Sequence, residues 1–126
     1  MLCNLAKALG IFANLEFPHG TEPGNLEAAV KVVRAVKRRN ACISVDTLHV
    51  GRSDSRLDVL DKLPREWFRF AHGCDAAKEV PPTMAGIIHT ARDERQFPGE
   101  GGIDVPGVLA CLPPNVPYAL ESLAWR

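Results

Sequence analysis

Four short apolar runs in this 126-residue chain each stop at a residue able to bind a metal. Leu9 to Leu15 stops at Glu16, Ala41 to Val45 at Asp46, Trp67 to Ala71 at His72, and Val116 to Leu120 at Glu121. Runs of this length bounded by turn formers read as strands. Carboxylates and imidazole at the C-terminal ends of successive strands mark the rim on which a parallel α/β barrel carries its chemistry.

The intervening segments are helical in pattern. Asn25 is placed to cap a helix in which Leu26, Ala28, Ala29, Val30, Val33 and Val36 mostly fall at spacings of three and four, with Glu27 in the first turn and Lys37, Arg38 and Arg39 forming a solvated basic end. Leu57 to Leu63 reads as a short helix closed by Pro64. Pro81-Pro82-Thr83 starts a helix through Ile87, Ile88 and Ala91, and a further helix spans about Val105 to Leu112. Leu2 to Ala8 reads as the last turns of a helix leading into the first strand. This alternation predicts an α/β fold with parallel strands joined by right-handed crossovers.

A complete (β/α)8 barrel typically takes about 250 residues, so residues 1–126 are expected to form one partial domain, a parallel half-barrel. Fifteen Lys and Arg balance fifteen Asp and Glu, which gives no basic field to hold nucleic acid. No apolar stretch approaches the roughly 18 residues of a membrane span, and the N-terminus lacks a signal-peptide pattern. A cytoplasmic chain with no membrane or nucleic-acid partner is expected. Cys3, Cys42, Cys74 and Cys111 show no C-x-x-C spacing and read as reduced thiols.

Glu16, Asp46, His72 and Glu121 offer hard oxygen and borderline nitrogen donors, a set suited to Mn²⁺, Mg²⁺, Co²⁺ or Zn²⁺. Taken singly, an acidic residue after a strand is more often a helix cap or turn former; their joint placement at one rim favours a site. His49, three residues beyond Asp46, is placed to touch substrate, to orient a ligand, or to bond loop backbone. Asp75 reads as a turn former, with support of His72 as the alternative. Arg52 and Arg92 read as solvated, and Arg95-Gln96-Phe97-Pro98-Gly99-Glu100-Gly101-Gly102 as a fixed turn.

Leu15-Glu16-Phe17-Pro18, Val45-Asp46-Thr47-Leu48-His49 with Gly51-Arg52-Ser53, Phe70-Ala71-His72-Gly73-Cys74-Asp75-Ala76, the Arg95 to Gly101 turn and Leu120-Glu121 together resemble the sugar phosphate isomerase/epimerase family with the xylose isomerase-like TIM barrel. The motifs follow the family's order, cover nearly the whole chain, and correspond to the C-terminal half, strands five to eight. The resemblance implies that Glu16, Asp46, His72 and Glu121 bind one divalent cation. It implies that Glu16 and Glu121 are also the acid/base pair, and that His49 and Arg95 contact substrate oxygens. The reaction implied is isomerisation or epimerisation of a sugar or sugar phosphate, through removal of a proton next to a carbonyl and an enediolate.

The same resemblance leaves strands one to four outside this chain. It implies open strand edges and marginal stability alone, with either a homodimer or the missing N-terminal half-barrel as partner. In a closed barrel Glu16 and Glu121 would face each other; in an open half they would splay apart. A second reading is a non-catalytic half-barrel that binds metal or self-associates through its edges. A third, an abasic-DNA endonuclease of the endonuclease IV type, is disfavoured by the small His and acid set and the absence of a positive surface.

Overall fold

The computed structural model describes residues 2–122, and among them five short parallel strands alternate with helices. The strands are β1 (Ala13–Leu15), β2 (Ala41–Ile43), β3 (Val45–Asp46), β4 (Ala71–Gly73) and β5 (Tyr118–Leu120). The helices are α1 (Leu2–Ala8), α2 (Leu26–Val36), α3 (Thr47–Arg52), α4 (Leu57–Leu60), α5 (Met84–Asp93) and α6 (Val105–Ala110), with a 3₁₀ turn at Arg65–Trp67. No helix among the described residues is long and apolar enough to cross a membrane.

The run from Ala41 to Asp46 is the hinge of the sheet. Its first half pairs with β1, and its second half pairs with β4, which in turn pairs with β5. Ser44 marks the switch, donating its backbone N–H to the Leu15 carbonyl at 2.9 Å before the chain turns its hydrogen bonds toward β4. The result is half of a parallel α/β barrel, with β1 and β5 each paired along one side only among the described residues.

Helix α2 forms where its periodicity predicts. The Asn25 side chain accepts from the Ala28 N–H at 2.9 Å, and Leu26, Ala29, Val30 and Val33 are buried against the sheet. Fully burying a Leu or Val side chain stabilises by about 1.5–3 kcal/mol, so this one face anchors β1 and β2. Phe17, Ile43, Val45, Leu60, Phe68, Ala71, Val108 and Val116 complete the same core.

Several element boundaries differ from the sequence expectation. Leu9 and Gly10 finish α1 rather than begin a strand, because their N–H groups bond back to the Ala6 and Lys7 carbonyls at 3.1 Å. Trp67 belongs to the 3₁₀ turn, closed by its N–H on the Pro64 carbonyl, and strand pairing starts only at Ala71. The helices from Leu57 and Val105 end earlier, at Leu60 and Ala110. The helix after Pro82 starts where expected, with the Thr83 hydroxyl accepting from Gly86 N–H at 3.1 Å.

Between β4 and β5 the chain makes a long excursion, and Asp75 organises its return. Its Oδ1 accepts from the N–H groups of Ala76 (2.8 Å) and Ile103 (2.9 Å), and its Oδ2 accepts from Gly99 N–H (3.0 Å). Its backbone exchanges two 2.9 Å hydrogen bonds with Gln96. Asp75 is therefore a turn former, bonded to the glycine-rich turn. Gly101 passes so close to the Asp75 carboxylate and the Ala76 carbonyl that no Cβ fits there. Arg52 is likewise buried rather than solvated, donating to the Ala77 and Lys78 carbonyls in the same excursion.

Burial alone would push the Asp75 carboxyl up, but hydrogen bonds from the N–H groups of Ile103, Ala76, Gly101 and Gly99 outweigh it and hold the group below the usual carboxylate range. A group depressed in the folded state contributes stability above its unfolded pKa of about 4, and that contribution is lost as pH falls through the folded value. Asp75→Asn is expected to lower stability at pH 7 by about 1.5–3 kcal/mol and to flatten the loss of stability below pH 4 or so. Urea melts of both proteins from neutral to acidic pH test this; parallel pH curves would rule it out.

Candidate metal and proton-transfer site

Asp46 and His72 are register partners on β3 and β4, so their side chains rise on the same face at the same level. Glu16 follows β1 directly and Glu121 follows β5, where Glu121 N–H extends the ladder by bonding the Gly73 carbonyl at 3.2 Å. The geometry of parallel strands therefore brings four residues far apart in sequence to one rim.

The two glutamates do not splay apart. Glu16 Oε1 lies 3.6 Å and Glu121 Oε2 lies 3.0 Å from the same atom, His72 Nδ1. That nitrogen is buried and makes no hydrogen bond in the described structure, since both carboxylates approach it outside hydrogen-bonding geometry. Phe70 stacks at a tilt on the imidazole, with ring centroids 5.1 Å apart. Two sets of donor atoms come within 4.8 Å of one another: Asp46, His72 and Glu121, and Glu16, Asp46 and His49. A buried imidazole nitrogen lacking a hydrogen bond and facing convergent carboxylates is the donor set a divalent cation takes.

Asp46 is the most enclosed of the group, with no exposure to solvent. Its Oδ1 caps α3, accepting from Leu48 N–H at 2.8 Å and His49 N–H at 3.4 Å, and receives the Cys74 thiol at 3.4 Å. Its Oδ2 accepts from Arg95 Nη1 at 2.6 Å. Burial opposes ionisation here, yet His49, Arg95 and the Leu48 N–H together hold the carboxyl below its usual range. Helix α3 itself was not evident from the sequence, because six residues are too few to show a periodicity.

His49 is also buried, and its Nε2 lies 3.9 Å from Asp46 Oδ2. Burial pushes its imidazole below the ordinary range, against the pull of Asp46 and Glu16. Glu121 is shifted the other way. Burial raises its carboxyl, Asp46 adds to the rise, and Arg95 offsets part of it. Arg95, expected to face substrate, directs Nη1 at Asp46 and at Glu121 Oε2, 3.2 Å away.

Thr47 and Cys74 were missed by sequence reasoning. The Thr47 hydroxyl donates to the Cys74 carbonyl at 2.5 Å and accepts from Cys74 N–H at 2.9 Å, stitching β3 to β4 just beyond their last paired residues. Burial raises the Cys74 thiol, keeping it protonated as a donor to Asp46. The only sequence trace of this stitch is a β-branched hydroxyl directly after Asp46, which means nothing until the register is known.

A cleft of about 800 Å³ opens beside the cluster. His49, Arg95 and Glu121 form its polar end, and Met84, Ile87 and Ile88 of α5 form an apolar wall. A separate cleft of about 630 Å³ near Lys7 and Arg38, at the N-terminal ends of β1 and β2, contains no carboxylate or imidazole.

No protein-family model and no curated protein matches the chain. Solved structures do. The chain is similar to the IolI protein with a bound zinc atom, at 22% identity and a TM-score of 0.81 over 95% of this chain and 43% of that one. It is similar to a xylose isomerase-like TIM barrel/4-hydroxyphenylpyruvate dioxygenase fusion protein, at 21% identity and a TM-score of 0.82 over 95% of this chain and 19% of that one. A xylose isomerase domain protein from Alicyclobacillus acidocaldarius subsp. acidocaldarius gives 18% identity and a TM-score of 0.66 over 97% of this chain and 46% of that one. These likenesses establish the fold as part of a xylose isomerase-like TIM barrel. The chain spans less than half the length of each of the three.

Replacing Thr47 by Val preserves its shape but strands two buried backbone groups of Cys74, a loss expected to cost about 1–3 kcal/mol. Equilibrium urea denaturation reads this directly, and an unchanged midpoint would show that the stitch carries no stability.

Proposed function

We propose that the rim cluster is the divalent-metal and proton-transfer site of a sugar or sugar phosphate isomerase/epimerase, contributed by strands corresponding to five through eight of the barrel. The observation that carries the reading is the convergence of Glu16 and Glu121, from the first and last strands, on the unbonded Nδ1 of His72. The zinc atom in the IolI structure supports a metal in this fold. Glu16, Asp46, His72 and Glu121 would hold one divalent ion of the Mn²⁺, Mg²⁺, Co²⁺ or Zn²⁺ type. When bound, such an ion supplies electrostatic stabilisation of negative charge developing on a carbonyl oxygen.

The remaining chemistry belongs to the side chains. One glutamate removes the proton from the carbon next to the carbonyl, and the other returns a proton to the enediolate. Glu16 and Glu121, which approach His72 Nδ1 from the two outer strands, are the pair placed to carry that proton. His49 is placed at the polar end of the cleft to hydrogen-bond a substrate hydroxyl. Met84, Ile87 and Ile88 of α5 offer an apolar side of the cleft to the carbon skeleton of a substrate.

A specific observation also favours self-association. Leu2, Leu5 and Leu9 beside β1 and Tyr118 and Leu120 on β5 are at least half exposed, at the two strands that among the described residues have an unpaired side. Exposed edges flanked by apolar surface are sites for strand pairing, so two copies joined edge to edge would bury both. Light scattering after size-exclusion is expected to give a dimer mass that Leu120→Lys converts to a monomer; a monomeric wild type would dismiss this reading.

Calorimetric titration of Mn²⁺ into the wild type and the Glu16→Gln, Glu121→Gln double variant tests the site. Binding near one equivalent by the wild type, weakened at least about hundredfold in the variant by loss of two charged ligands, is the expected result. Equal affinities would remove the proposal.

A further inference from the structure

Arg95 sits among the carboxylates that would hold the metal. Its Nη1 is 2.6 Å from Asp46 Oδ2, 3.2 Å from Glu121 Oε2 and 3.0 Å from Cys74 Sγ. It is not a mobile surface group: the residue is 8% exposed, and its Nε is tied to the Ala91 carbonyl at 2.6 Å, at the end of α5. We propose that Arg95 is an internal counter-cation of the site, which holds Asp46 and Glu121 in place when no metal is bound and weakens the hold of the cluster on a divalent ion. This rests on the metal-binding reading above.

The charges lead to the proposal directly. Glu16, Asp46 and Glu121 together carry three formal negative charges, and Arg95 cancels one, leaving two for a divalent ion to balance. Without Arg95 and without metal, the carboxylate of Asp46 would be a buried charge with no positive partner of fixed charge, which is strongly destabilising. With Arg95 present, an incoming cation meets a guanidinium already in contact with two of its ligands. Asp46 and Arg95 are both buried, so repulsion between the guanidinium and an ion on Asp46 is poorly screened. Arg95 is therefore a positioning residue, and its cost to metal affinity is the counterpart of its support for the metal-free fold. An ordinary structural ion pair would behave differently. Removing it would loosen Asp46 and leave metal affinity unchanged or poorer.

Calorimetry with Mn²⁺ and Zn²⁺ on the wild type, Arg95→Gln and Arg95→Lys separates these cases, with circular dichroism to show that each is folded. Arg95→Gln is expected to bind metal at least about tenfold tighter than the wild type, while Arg95→Lys, which keeps the charge, stays within about threefold. Metal-free Arg95→Gln should melt below the wild type and recover on saturation with metal. Equal or weaker metal binding by folded Arg95→Gln overturns the proposal. The wild type supplies a second test that needs no variant: the guanidinium ¹⁵N–H signals of Arg95 should shift and lose exchange protection in step with Zn²⁺ occupancy, and signals that stay fixed as Zn²⁺ binds overturn it equally. If the wild type binds neither metal, the metal-binding reading fails and takes this inference with it; binding with no response to Arg95 removes the inference alone.

Discussion

A carboxylate cut off from water must find all its partners inside the protein, and the arrangement of this rim follows from how Asp46 finds them. Its oxygens are shared among the first turn of α3, the Cys74 thiol beyond β4 and the Arg95 guanidinium at the end of α5. Three elements separated in sequence are thereby fixed against one charged group. The penalty for burying an unpaired charge is several kcal/mol, larger than the net worth of any one hydrogen bond around it. Position is thus enforced by the cost of the alternatives.

Parallel pairing supplies the rest. In a parallel ladder, adjacent residues on neighbouring strands share a face, so His72 beside Asp46 follows from register alone. The glutamates on the outer strands reach inward to the same imidazole because the sheet curves between β2 and β3, where Ser44 hands its bonding from one neighbour to the other. A flat sheet would have set Glu16 and Glu121 at opposite ends of a row. The curvature of half a barrel is enough to gather them.

The sequence reading located strand ends better than strand beginnings, for a physical reason. An apolar run stopping at Glu16, Asp46, His72 or Glu121 is a sharp local change of chemistry, and the α/β order and the amphipathic face of α2 are equally local. Strand beginnings depend on where a partner exists, so Leu9 and Trp67 looked extended yet fold into helix and turn. The same limit hid the site's supports. Thr47, Cys74 and the burial of Arg52 act through carbonyls and thiols brought near by tertiary structure, and nothing in the residues adjacent to them in sequence announces it. The family resemblance pointed Arg95 at substrate oxygens, and its engagement with Asp46 became visible only once α5 was placed.

The clamp at Asp75 has a consequence for how such a chain can diversify. By gripping Gly99 and Ile103 next to the rim, one carboxylate closes the excursion between β4 and α6 at its base. Within that closure Arg52 holds the Ala77 and Lys78 carbonyls and Arg95 holds Asp46, so the stretch between them, α5 with its apolar wall, hangs from the barrel as a cassette fixed at both ends. Lengthening a closed loop adds only slowly to its entropic cost, so insertions or exchanges within it reshape one side of the cleft while leaving the strand ends in register. Novelty in ligand preference can then arise by exchange of the α5 stretch alone, with Arg95 and the rim carboxylates retained.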